Sequence, residues 1–77
     1  MMVRIKKKLY TGLTHPEGFT CGFAFESGFN LQTDVNQLML WLEAKGFFDF
    51  GVVNMEHLMF KDPIQAEEFK RIYPILV

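Results

Sequence analysis

Apolar and polar residues alternate from the start of the chain. Val3, Ile5 and Leu9 fall on one side, and Arg4, Lys6, Lys8 and Tyr10 fall on the other. A period of two with one wet face predicts an antiparallel strand over residues 2–10. Lys7 interrupts the apolar side and marks an edge strand, where an inward charge discourages unwanted pairing. A loop follows from Thr11 to Gly18, punctuated by Gly12 and by His15-Pro16. Phe19, Cys21, Phe23 and Phe25 then alternate with Thr20, Gly22, Ala24 and Glu26, which predicts a second strand with its aromatic side inward. The other side of that strand is small, so another backbone or a covering element fits against it. Glu26-Ser27-Gly28 ends it, and Phe29-Asn30-Leu31 reads as a short third strand or as a continuation after a bulge.

The period then changes to that of a helix. Val35, Leu38, Met39 and Leu42 form a stripe at helical spacing, with Asp34 as the expected cap and Gln37 as its capping-box partner. Lys45 suits the negative end of the dipole, and Gly46 provides a left-handed stop. Leu40 falls nearly opposite the stripe and Trp41 on its flank, so the core does not obviously claim either. Between Phe47 and Phe60 the phase is ambiguous. Either one strand runs over about 52–60 with an irregularity near its middle, which is the favoured reading, or two short strands flank a tight turn.

The last helix is the best-specified element. Asp62 caps it, Pro63 takes the first helical position, and Gln65 stands three past the cap. Ala66, Phe69, Ile72 and Tyr73 form its buried side, Glu67 is in register with Lys70 and Arg71, and Pro74 ends it. Ile75-Leu76-Val77 beyond Pro74 is wholly apolar. The resulting fold class is α+β: a single domain over 1–77, with a small antiparallel sheet of 3–4 strands and two helices on one face, in the order β-β-(β)-α-β-α.

The chain has 77 residues, 49% of them hydrophobic and nine of them Phe, which is enough to fold but near the lower limit for an unassisted core. A bound partner or a homodimer would supplement so small a core. The net charge of −1 gives no global signal for nucleic acid or membrane. No apolar run approaches the roughly 20 residues of a spanning helix. Met1-Met2-Val3 runs straight into charge, so no signal segment is expected. With Cys21 as the sole cysteine, no intrachain disulfide forms, which fits a reducing cytoplasm.

Catalytic chemistry finds little support. Cys21 alternates as a small core residue rather than an exposed nucleophile. His15 and His57 have no neighbours at metal-ligand spacing, and the glycines form no phosphate-binding motif, so neither a metal, a cofactor nor an enzyme activity is expected. Two surfaces remain. Leu40, Trp41, Ile64, Ile75, Leu76 and Val77 are the candidates for a protein interface, Trp being common at binding hot spots. Arg4, Lys6, Lys8 and Tyr10 are the candidates for a nucleic acid or an acidic partner, with the lysines tracking phosphates and Tyr10 stacking a base.

At Phe60-Lys61-Asp62, Ala66 and Phe69-Lys70 the chain resembles small accessory proteins of tailed phages, in which a strand ending in Phe-Lys-Asp runs into a helix with Ala and Phe-Lys at this spacing. The resemblance is confined to the stretch from Phe60 to Pro74 and transfers no catalytic residue. It implies the strand-into-helix arrangement. It also implies a function, since such proteins often bind and inhibit a host enzyme or defence system. The expectation is therefore a non-enzymatic protein-binding module, an inhibitor or modulator working in the host cell cytoplasm. The alternative is a small nucleic-acid-binding protein that uses the basic first strand.

Overall fold

The aromatic strand, the two capped helices and a hairpin between them make up the regular structure. A computed structural model describes residues 2–77, with Met1 outside them. Its elements are β1 (Cys21–Ala24), α1 (Thr33–Ala44), β2 (Phe50–Val53), β3 (His57–Phe60) and α2 (Pro63–Ile72). The strands form an antiparallel sheet in the order β1-β3-β2, so the class is α+β as expected. Val35, Leu38 and Leu42 of α1 and Ala66 and Phe69 of α2 share one buried cluster with Cys21, Phe23, Leu58 and Phe60. Both helices therefore cover the same face of the sheet.

The first predicted strand is not continuous. Ile5 pairs with Phe25 and Tyr10 with Gly22, as isolated antiparallel bridges. Five positions separate Ile5 from Tyr10 while three separate their partners, so two residues bulge out around Lys7 and Lys8. An even insertion preserves the alternation: Val3 and Ile5 are fully buried, and Leu9 packs partly buried against the core. The other side of this segment is not open. The Ile5 N–H donates to Ile75 O, the Val77 N–H to Ile5 O and the Lys7 N–H to Val77 O. The apolar tail thus lies parallel to the first segment, with Leu76 bridged to Ile5.

Two readings of the middle of the chain are corrected. The favoured single strand over 52–60 is two strands joined by a turn at Asn54-Met55-Glu56. The Glu56 N–H donates to Val53 O, and Asn54 and Met55 both have φ of 54°, the mirror-image turn that suits a hairpin. Phe29-Asn30-Leu31 is not a strand, because Asn30 is occupied with helix capping. Its Oδ1 accepts the N–H groups of Gln32 and Thr33, while Asp34 Oδ2 accepts the Asn30 N–H. The expected cap at Asp34 is therefore shifted to Asn30, and Asp34 is the reciprocal acceptor.

Met55 carries its side chain in a backbone region that costs an L residue about 1–2 kcal/mol. Met55→Gly is expected to raise stability by about 1 kcal/mol, seen as a higher urea midpoint at unchanged slope. An unchanged midpoint would show that the turn stores no strain.

The Asp34 carboxyl is held below its ordinary range by the Asn30 N–H that it accepts. A carboxylate whose folded-state pKa is lowered stabilises the fold above its unfolded pKa, and that contribution is lost as pH falls through the folded value. Asp34→Asn should therefore destabilise at neutral pH and converge with the wild type in acid. Equal loss at both pH values would remove the charge from the explanation.

Both helix ends follow local rules. At the end of α1 the Gly46 N–H donates to Glu43 O and the Phe47 N–H to Leu42 O, with Gly46 at φ of 86°. This Schellman motif turns Phe47 back onto the core. At the start of α2, Asp62 Oδ1 accepts the Ile64 N–H at 2.9 Å, as the sequence predicts. Gln65 instead accepts the Phe48 N–H, and Arg71 pairs with Glu68 rather than Glu67.

Candidate protein-binding surface

The sheet has a second face, away from the helices. On β3, Met59 partners Gly22 of β1 and Gly51 of β2, and His57 partners Ala24 and Val53. All project to that outer face, since Phe23, Leu58 and Val52 point into the core. Phe19 lies there too, which corrects its predicted inward place. The Thr20 N–H donates to Phe60 O although Cys21 is the partner of Phe60, so two residues oppose one and the alternation slips. The Phe19 ring sits over Gly51, where an added methyl would meet Cζ at 2.7 Å. His15 packs against the ring at 5.3 Å, and the Lys61 ammonium lies 5.9 Å from its centroid.

Beside Phe19 opens an apolar cleft of about 260 Å³ lined by Tyr10, Leu13, Gly22, Val53, His57 and Met59. Gly22 lets Met59 cross the floor. Tyr10, bridged to Gly22, and Leu13, in the loop that follows, form a rim and remain 42% and 36% exposed. Apart from Tyr10, none of the lining residues stood out in the sequence. Their common face depends on strand register and on the bulges, which residue spacing does not display.

The expected interface residues divide. Leu40 and Ile64 are exposed, on different helices. Trp41 packs half-buried against the core: its ring stacks on Phe47 at 6.1 Å and meets Phe69 and Tyr73 edge-on. Ile75 and Leu76 are half-buried against the core, and Val77 is exposed. Phe48, next to Gln65 at the start of α2, is a large exposed residue that the sequence reading did not single out.

The basic residues are also partly engaged. Arg4 Nε lies 3.1 Å from a Glu26 carboxylate oxygen, and the Lys8 ammonium lies 4.9 Å from the Tyr10 ring centroid. Lys6, Lys7 and Lys8 are exposed. Among the described residues no group of three or more His, Cys, Asp or Glu side chains could hold a metal ion, and no helix is long and apolar enough to cross a membrane.

Cys21 is buried, and its thiol is directed at Phe60 O. Burial pushes its pKa up, helped by the negative charges of Asp62 and Glu67. A raised pKa lowers the thiolate fraction, so Cys21 should label with iodoacetamide only on unfolding. Rapid labelling of the native protein would contradict this placement.

Comparison with protein-family models, with curated proteins and with solved structures finds no match to this chain.

Proposed function

We propose that the protein is a non-enzymatic protein-binding module, and that the outer-face cleft receives an apolar side chain of its partner. The observation that carries this reading is the cleft itself: its walls are apolar, Met59 crosses its floor over Gly22, and its polar groups are confined to Tyr10 and His57. Such a site suits one hydrophobic anchor oriented by a few polar contacts. The resemblance of Phe60–Pro74 to phage accessory proteins supplies the context, a phage-encoded modulator or inhibitor of a host protein or defence system in the host cytoplasm.

The test is an affinity capture from bacterial host lysate, run in parallel with wild type and Leu13→Glu. Leu13 lies on the rim, so the substitution charges the cleft without touching the core. A stoichiometric partner retained by wild type and lost by the variant supports the reading. Equal retention removes the cleft from it.

Nucleic-acid binding through the first segment is the weaker alternative. Glu26 engages Arg4, and the ammonium of Lys8 already lies over the ring expected to stack a base. Salt-sensitive binding abolished by charge reversal at Lys6 and Lys8 would favour it.

A further inference from the structure

The two outer edges of the extended structure differ. On one side, β1 is followed by the bulged first segment and the tail, with Lys6, Lys7 and Lys8 exposed nearby. The tail closes that side along Ile5 to Lys7, and the exposed lysines beside it discourage further pairing. On the other side, β2 pairs with β3 and, among the described residues, has no second neighbour in the sheet. Its sequence, Phe50-Gly51-Val52-Val53, has no charge and no proline. None of its residues is fully buried.

The hydrogen-bond phase of that edge follows from its neighbours. The Lys61 N–H donates to Asp49 O, which makes Asp49 and Lys61 a hydrogen-bonded pair in the β2–β3 register. Alternation then turns the backbone groups of Gly51 and Val53 toward β3. The N–H and C=O groups of Phe50 and Val52 face outward. A second β2 strand related by a two-fold axis at Gly51 satisfies all of them, because Phe50 exchanges both bonds with Val52 of the other copy and Val52 with Phe50.

We infer that β2 is a self-pairing edge, joining two copies of this chain into one continuous antiparallel sheet centred on Gly51. Two features favour a second copy as the occupant. Both off-centre pairs are Phe against Val on the core face, a favoured aromatic to β-branched combination. The central pair is glycine against glycine at the closer, non-hydrogen-bonded spacing, covered on the outer face by the Phe19 ring of each copy. The interface is isologous, as a two-fold dimer requires. This inference is separate from the cleft reading, and failure of either leaves the other standing.

Light scattering after gel filtration, from micromolar to millimolar chain, should show the mass rising from 9.0 kDa to twice that value. Val52→Pro removes an outward N–H without breaking a bond to β3, a substitution that edge strands tolerate. It should hold the mass at 9.0 kDa with an unchanged circular dichroism spectrum. A second measurement uses wild type only: a mixed sample of isotope-labelled and unlabelled chains should give an intermolecular Hα–Hα contact at Gly51, with slowed exchange of the Phe50 and Val52 amides at high concentration. A monomer throughout the range overturns the inference. So does a dimer in which Gly51 shows no such contact.

Discussion

Phe69→Ala is expected to cost about 3–5 kcal/mol of folding free energy, the range for emptying a large aromatic site. Phe69 is fully buried on α2. Its ring lies 4.6 Å from Tyr73, 5.3 Å from Phe23, 5.6 Å from Phe60, 5.8 Å from Trp41 and 6.1 Å from Phe47. These partners come from β1, β3, both helices or their ends, and the loop after α1, so no single element can move in to fill the space. A domain this small has a total stability near the low end of about 5–15 kcal/mol. The variant should therefore be largely unfolded at modest urea, by far-UV circular dichroism. A loss below about 1 kcal/mol would mean the cluster collapses around the cavity and is far less rigid than its geometry indicates.

Gly22→Ala is the second large effect. An added methyl would stand 2.4 Å from Met59 Sδ and 2.6 Å from the Leu58 carbonyl oxygen. The thioether can swing away; the carbonyl belongs to the central strand and cannot. Overpacking of this kind costs about 1–3 kcal/mol. Removing the flexible neighbour separates the two contacts: in a Met59→Ala background the alanine at position 22 should still destabilise, because the carbonyl contact persists. Full rescue would assign the clash to sulfur. A loss within about 0.5 kcal/mol in the wild-type background would show that the strand shifts to accommodate the methyl.

The fold class and the helices were legible because their determinants are local. Asp62-Pro63 sets the start of α2, Gly46 closes α1, and the stripe of Val35, Leu38 and Leu42 gives its buried side. The readings that failed depend on a residue count across two strands. Phe19 shares the parity of Cys21 and Phe23, and only the extra residue opposite Phe60 sends it to the other face. The hairpin at Asn54-Met55 lacks the glycine that usually announces positive φ, so a continuous strand was the natural expectation there. Trp41 falls on the flank of its own helix, which makes it an interface candidate in the sequence. The aromatic rings that surround it come from Phe47, Phe69 and Tyr73, and the helical stripe does not reveal that convergence. The cleft is the least legible feature, since it is assembled from the first segment, a loop and three strands, with Gly22 among its lining.

The setting of Trp41 makes the chain its own optical instrument. It is the sole tryptophan. Its indole is stacked on Phe47, meets Phe69 and Tyr73 edge-on and has the Lys45 ammonium 5.9 Å from its centroid. Its emission wavelength and quantum yield therefore report whether the two helices remain docked, and none of the rings it meets belongs to β2. Separation of the helices shifts the emission to the red, while pairing at the strand edge leaves it unchanged. One cuvette thus distinguishes loss of the core from a change of assembly without any added label.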